Sequence, residues 1–141
     1  MIQQIYPTPI HSYRYELNKD MHVAAAHYID DERAGQCQRV HGHTYFINLT
    51  IVGDDLDETG FLVNFSNLKQ AVHGRFDHRL LNEDALFETA PPSTEKMAET
   101  IYKVVQEQLD TCPNRPLCIQ VYVRETPTSY VVYRPKEHAR G

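Results

Sequence analysis

Three histidines and one cysteine lie close together in the first third of the chain, at a spacing that could bind a metal. In chain order they are His27, Cys37, His41 and His43. His41 and His43 lead into residues 44–52, where apolar side chains alternate with more polar ones, as in a half-buried strand. Side chains two positions apart on a strand point to the same face. The spacing therefore predicts two imidazoles that converge on one metal ion.

His27 is the candidate third ligand. It ends the stretch 21–27 in register with Val23 and Ala25, which predicts that it closes a strand on the apolar side. Three neutral imidazoles bind zinc and leave one tetrahedral position open, which is typical of catalytic rather than structural zinc. We therefore expect the three histidines to form a catalytic Zn²⁺ site.

Cys37 allows two interpretations. As a fourth ligand it would close a structural zinc site, but such sites usually use paired cysteines, and the chain has no C-x2-C motif. The favoured interpretation places its sulfur beside the metal, where a positive charge favours the thiolate. Cys37 would then act as a base or nucleophile.

The dipeptide Asp77-His78 offers an acid–base pair. A carboxylate beside an imidazole can fix its tautomer and raise its basicity, and the imidazole could take a proton from Cys37. A cysteine hydrolase with a Cys-His-Asp triad is an alternative, but it would leave the zinc histidines without a role. The other histidines have no spacing partner and are expected to be surface or packing residues: His11, His22, His73 and His138.

Composition favours one ordinary globular domain. The 141 residues are 41% hydrophobic and 23% charged, and the net charge of −5 gives no indication of a nucleic-acid partner. The odd number of cysteines, with no signal peptide and no membrane-spanning stretch, favours a reducing cytoplasm. Cys112 and Cys118 are expected to be structural thiols. Residues 1–141 are predicted to form one domain with a polar tail from about residue 135.

The apolar patterns predict an α+β fold. Strands are expected at 11–17, 21–27, 44–52, 61–63, 117–124 and 130–134. The first two flank polar residues 18–20 and indicate a hairpin, and the polar stretch 28–36 indicates a loop that delivers Cys37. Helices are expected at 67–76, capped by Ser66, and after a cap at Ser93 or Thr94, ending by Pro113. Such elements form an antiparallel sheet with two helices on one face.

Glu125 follows the strand 117–124 on its apolar side. Leu117, Ile119, Val121 and Val123 alternate on one face, and the same parity places Glu125 there. Desolvating a carboxylate costs free energy unless something pairs with it. The pattern therefore indicates either a bound ligand that offers donors or a solvated glutamate just past the strand.

These motifs together resemble the 6-pyruvoyl-tetrahydropterin synthase family over about residues 22–133. The short gap between Cys37 and His41 is similar to the bacterial branch of queuosine biosynthesis, which makes 6-carboxytetrahydropterin. The motifs that carry the resemblance are His27, Cys37-x3-His41-Gly42-His43-Thr44-Tyr45, Asp77-His78-x2-Leu81-Asn82, Pro92-Ser93-Thr94-Glu95 and Arg124-Glu125-Thr126.

The resemblance implies a tunnelling fold that assembles into rings, commonly a hexamer, with active sites between subunits. It also implies roles for individual residues: zinc ligands His27, His41 and His43, proton acceptor Cys37, relay Asp77 and His78, pterin anchor Glu125, and substrate contacts Ser93 and Thr94. Lys19 and Arg33 are candidates for the triphosphate group of the substrate.

The expected reaction is that of a zinc-dependent lyase. Such an enzyme converts 7,8-dihydroneopterin triphosphate to 6-carboxy-5,6,7,8-tetrahydropterin and releases acetaldehyde and triphosphate. One alternative is a relative that makes a pyruvoyl or other pterin from the same substrate. Another, from a different class, is a non-catalytic binding module that zinc stabilises through Cys37 and the histidines.

Overall fold

Two long antiparallel strands form the centre of a five-stranded sheet in a computed structural model that describes residues 6–136. The spatial order is β3-β1-β2-β4-β5. The strands are β1 (Tyr15–His27), β2 (His41–Gly53), β3 (Arg79–Leu80), β4 (Leu117–Thr126) and β5 (Ser129–Tyr133), and the helices are α1 (Phe65–Phe76) and α2 (Thr94–Leu109). Short 3-10 segments lie at Glu32–Gln38, Leu81–Glu83 and Ala85–Phe87.

The α+β prediction is confirmed, and both helices pack on the same face of the sheet. Apolar side chains of this face and of the helices form one core, which includes Val23, Ile47, Val121, Leu68 and Ile101. The polar tail beyond Lys136 and the predicted surface residue His138 lie outside the described residues. Within residues 6–136, no helix is long and apolar enough to cross a membrane.

The predicted hairpin at the start of the chain is wrong, because β1 runs unbroken through residues 18–20 and pairs with β2 along its whole length. These polar residues alternate like the rest of the strand. Asn18 accepts a hydrogen bond from the Thr50 hydroxyl (3.1 Å), and Asp20 accepts one from the Asn48 amide (3.0 Å). Polar partners across the sheet thus replace the turn that the local sequence indicated.

The predicted N-cap is confirmed for α2 but not for α1. Ser93 caps α2 as predicted, because its Oγ accepts a hydrogen bond from the Lys96 N–H (3.1 Å). The cap of α1 is Asn64 rather than Ser66; the Asn64 side chain accepts the Ser66 N–H (2.8 Å), and the helix begins at Phe65. An earlier cap residue was available, and the helix uses it.

Two further strand predictions are corrected. Residues 61–63 are not a strand, although Leu62 and Val63 are buried in the core, so their apolar character reflects packing alone. The two-residue β3 was not predicted; it pairs with Ala25 and Ala26 of β1 in parallel and makes the sheet mixed. Two residues are too few to show alternation.

The predicted alternation along β4 breaks at Ile119. The register against β2 shifts between Thr50 and Ile51, which pair with Gln120 and Cys118, so Ile119 is an extra residue in a bulge. Cys118, rather than Ile119, joins the buried core, and burial raises the pKa of its thiol to about 12. This supports the prediction of a structural thiol at this position. Val121 and Val123 keep the predicted alternation, and a second register shift, against β5, lies at Glu125.

Candidate metal centre and cavity

The paired ends of β1 and β2 bring the three predicted histidines together. His27 pairs directly with His41 across the sheet, and His43 pairs with Ala25, so all three side chains project from the core face. One ring nitrogen from each histidine lies within 4.8 Å of the others. Strand register alone therefore builds the cluster that the i, i+2 spacing predicted.

Backbone carbonyls orient two of the imidazoles. The Nδ1 atom of His27 lies 2.7 Å from the Pro92 carbonyl oxygen, and that of His41 lies 2.7 Å from the Arg39 carbonyl oxygen. A carbonyl can only accept, so each Nδ1 carries a proton, which leaves Nε2 as the nitrogen that can bind a metal. Metal-bound histidines are commonly oriented in this way.

The third imidazole shows that the cluster fits a metal. The Nε2 atom of His43 is buried and has no hydrogen-bond partner within the described residues. Burial lowers the pKa of His43. The negative charge of Glu125 opposes this shift, whereas the neighbouring imidazoles of His27 and His41 add to it. Neutral imidazoles with free lone pairs are the ligands that Zn²⁺ prefers. A cation here would provide the partner that His43 lacks.

Glu125 lies beside the histidines, on the core face that the parity of β4 predicted. Its carboxylate oxygens lie 3.8 Å from His43 Nε2 and 4.0 Å from His27 Nε2. The Thr94 hydroxyl, at the first residue of α2, donates a hydrogen bond to Oε2 of Glu125. The carboxylate is thus half-buried and oriented, with Oε1 free of a side-chain donor among the described residues.

Tyr45 is a member of the site that the sequence did not single out for chemistry. Its side chain is completely buried, and its hydroxyl oxygen lies 3.4 Å from both ring nitrogens of His27. Burial, and then the charge of Glu125, raise the pKa of the phenol, so Tyr45 stays neutral. The sequence could have indicated this role, because Tyr45 lies two residues after His43 and therefore on the same face of β2.

Cys37 lines a cavity of about 260 Å³ together with His27 and Glu125. The other lining residues are Ile29, Ser93, Thr94, Glu95, Ser129, Tyr130 and Val131. The predicted loop is a kinked 3-10 segment, Glu32–Gln38, with Gly35 at φ +58°, and the Ile29 N–H donates to the Cys37 carbonyl (2.7 Å). Cys37 is exposed and lies outside the three-histidine cluster.

The structure does not bring Asp77 and His78 to this cavity. Asp77 Oδ1 accepts the Ala24 N–H (2.9 Å), and the His78 N–H donates to the Ala24 carbonyl (2.6 Å), so both are attached to β1. His78 has φ +58°, and its side chain is 82% exposed. It lines a separate groove beside His43 and points to solvent.

Ser93 and Thr94 lie in the cavity wall, as a role in substrate contact requires. Their hydroxyls also have structural partners: that of Ser93 caps α2, and that of Thr94 donates to Glu125. The candidate triphosphate residues do not line this cavity. The Lys19 amino group lies 5.4 Å from the centre of the Phe65 ring, and Arg33 forms an ion pair with Asp31 (2.6 Å).

Comparison with known proteins identifies the family. The family model described as 6-pyruvoyl tetrahydropterin synthase matches residues 16–136. The chain is 59% identical to the 6-carboxy-5,6,7,8-tetrahydropterin synthase of Bacillus subtilis, over 97% of each chain. It is 32% identical to the 6-pyruvoyl tetrahydrobiopterin synthase of Drosophila melanogaster, over 71% of this chain and 62% of the relative.

Solved structures agree on the fold. The 6-pyruvoyl tetrahydropterin synthase of Caenorhabditis elegans superposes with a TM-score of 0.71 at 23% identity, covering 86% of this chain and 96% of that one. The Plasmodium falciparum 6-pyruvoyl tetrahydropterin synthase gives a TM-score of 0.63 at 19% identity, over 88% and 99%. The sequence match over most of the chain and the shared fold lead to one conclusion: this chain belongs to the 6-pyruvoyl tetrahydropterin synthase family.

Proposed function

We propose that the protein is a zinc-dependent lyase that converts 7,8-dihydroneopterin triphosphate and one molecule of water to 6-carboxy-5,6,7,8-tetrahydropterin, acetaldehyde and triphosphate. One observation carries the proposal: His27 of the three-histidine cluster, the oriented carboxylate of Glu125 and Cys37 line one cavity. The high identity to the Bacillus subtilis relative supports this product. We further propose a place in queuosine biosynthesis and, from the unpaired cysteines, in the cytoplasm.

Glu125 would anchor the pterin ring. The amino and ring N–H groups of a pterin are adjacent donors, and a carboxylate can accept from both. Thr94 occupies Oε2 and fixes the plane of the carboxylate. Ile29 and Val131 provide apolar walls for a flat ring, and the hydroxyls of Ser93 and Thr94 lie in the same wall.

Cys37 would remove a proton from the side chain of the bound substrate. Zinc held by the three histidines would supply Lewis acidity to the hydroxyl groups of that side chain. An exposed thiol on a short, kinked segment can reach into the cavity, and its thiolate would act as the general base. Triphosphate would then leave, and cleavage of the side chain would consume one water molecule, which leaves the carboxyl group on the pterin and releases two carbons as acetaldehyde.

Asp77 and His78 would serve a site on another copy of the chain. Both are attached to β1 through Ala24, and the exposed imidazole lines a groove that is separate from the cavity of its own chain. A ring-shaped oligomer, with a hexamer as the expected size, could bring this imidazole to a neighbouring Cys37. The relay of cysteine, histidine and aspartate would then form between subunits.

Product analysis tests the proposed function. The zinc-loaded protein is incubated with 7,8-dihydroneopterin triphosphate, the pterins are identified by mass spectrometry, and acetaldehyde is assayed. We expect 6-carboxytetrahydropterin and acetaldehyde in equal amounts. A pyruvoyl or hydroxymethyl pterin would move the protein to another activity of the family. No turnover by the zinc-loaded oligomer would instead favour the zinc-stabilised binding module.

Replacing Glu125 with glutamine is expected to weaken substrate binding and raise KM roughly ten- to hundredfold. A hydrogen bond to a charged group contributes about 1.5–3 kcal/mol, and the amide would turn a donor toward the donors of the pterin. Steady-state kinetics measure the effect. Glu99→Gln is the matched control, because Glu99 pairs with Lys96 and Lys103 on α2 and does not line the cavity. An unchanged KM would contradict the anchoring role.

A mixing experiment tests the shared site. The Cys37→Ala and His78→Ala variants are each expected to be inactive. Denatured together and refolded as mixed oligomers, they should regain part of the wild-type rate, because some interfaces then combine an intact Cys37 with an intact His78. Each variant refolded alone is the control. If the mixture stays inactive although mixed oligomers are shown by native mass spectrometry, the two residues do not act across subunits.

A further inference from the structure

The carboxylate of Asp77 contacts two imidazoles rather than one. Its Oδ1 accepts the backbone N–H of Ala24 (2.9 Å). Its Oδ2 lies 3.6 Å from His78 Nε2 and 3.7 Å from His73 Nδ1. Both Oδ2 distances exceed those of a formed hydrogen bond, so the contacts are electrostatic or bridged by water. His73 had no partner in the sequence analysis, and the structure gives it one.

Helix geometry places His73 at this carboxylate. His73 lies in the last turn of α1, four residues before Asp77, and the Asp77 N–H donates to the His73 carbonyl (3.0 Å) where the helix ends. Residues four apart on a helix face the same side.

Burial selects one tautomer of His73. Its Nε2 atom is buried and has no hydrogen-bond partner among the described residues. A proton on Nε2 would be a buried donor without an acceptor, which costs about 1–3 kcal/mol. A proton on Nδ1 faces the Asp77 carboxylate instead. His73 therefore directs an N–H group at Oδ2 of Asp77.

We propose that His73 is a positioning residue for the acid–base pair, in which its Nδ1–H holds Oδ2 of Asp77 toward His78. The hydrogen bond from Ala24 fixes Oδ1, and the attraction of the His73 N–H for Oδ2 favours the orientation in which this oxygen faces the imidazole of His78. Nε2 of His78 then faces Asp77, and Nδ1 is the nitrogen left to exchange a proton with a reacting group. The effect on catalysis, unlike the contact itself, rests on the function proposed above.

Two variants separate positioning from packing. His73→Phe keeps a ring but removes the donor, and we expect kcat to fall about tenfold, with KM within about twofold of wild type. His73→Asn places an amide N–H near the position of Nδ1 and should restore most of the lost rate. His22→Gln is the control, because His22 packs edge-on against Phe46 on a different part of the sheet. Thermal melting checks that each variant is folded.

Long-range ¹H–¹⁵N NMR of the imidazoles tests the contact without any assay of activity. In the wild-type protein we expect His73 to carry its proton on Nδ1, and in the Asp77→Asn variant this preference should weaken. A proton on Nε2 of His73 would overturn the proposal, as would an unchanged kcat in His73→Phe or a His73→Asn variant as impaired as His73→Phe. Absence of turnover in the wild-type protein would refute the proposed function. The NMR experiment would still decide whether His73 directs its Nδ1–H at Asp77.

Discussion

Replacing Cys37 with alanine is expected to lower kcat about 10²- to 10⁴-fold, the usual contribution of a general acid–base group. The thiol lies at the cavity with His27 and Glu125 but outside the three-histidine cluster. Its loss should therefore remove the base and leave the metal site intact. Single-turnover kinetics would measure the chemical step, and competition with a zinc chelator would measure metal affinity.

The zinc measurement distinguishes the two interpretations of Cys37. If the thiol is a base, Cys37→Ala binds zinc as tightly as wild type, and Cys112→Ala, a control in the turn after α2, changes neither rate nor affinity. If the thiol closes the coordination of a structural zinc, the affinity of Cys37→Ala falls together with its stability. A variant that keeps near wild-type turnover would contradict both interpretations.

Removing zinc is expected to abolish turnover while leaving the fold intact. The histidines lie at one end of β1 and β2, whose pairing extends over thirteen residues of each strand, and the core packs without them. Structural zinc can contribute about 10–16 kcal/mol to the folding of a small domain. The size of this sheet and core indicates that no comparable contribution is needed here.

Circular dichroism and a zinc-titrated assay would test this expectation together. The chelated protein should keep its far-ultraviolet spectrum and a cooperative melting transition, lose turnover, and regain it when zinc is restored. His41→Ala should behave like the chelated protein even with zinc present. A chelated protein that unfolds at room temperature would instead support the zinc-stabilised binding module.

Local alternation was sufficient to predict that His41 and His43 share a face and that Glu125 lies on the core side, whereas the approach of His27 to them requires the pairing of β1 with β2. His41 and His43 share a face because they are two apart on β2, and Glu125 lies on the side of Val121 and Val123 although the register against β5 shifts at this residue. These arguments need only the geometry of one strand. Their outcome did not depend on which strands are neighbours.

Features that depend on a neighbouring element were not predictable in this way. Asn18 and Asp20 look like turn residues until their partners on β2 are known, and the bulge at Ile119 exists only relative to β2. The hydrogen bond from the Thr94 hydroxyl to the Glu125 carboxylate joins residues that are 31 positions apart in the sequence. His73 is different, because its four-residue spacing from Asp77 on a predicted helix was a local signal that the sequence analysis did not use.

The attachment of Asp77 and His78 to Ala24 uses only the main chain of β1. The N–H and the carbonyl of this one residue hold the carboxylate and the following peptide. The identity of the side chain at position 24 is thus irrelevant to the attachment, except that proline would remove the N–H. Substitution at position 24 can therefore alter the surface without displacing Asp77 and His78, which makes this position a suitable site for a label that tests the subunit contacts proposed above.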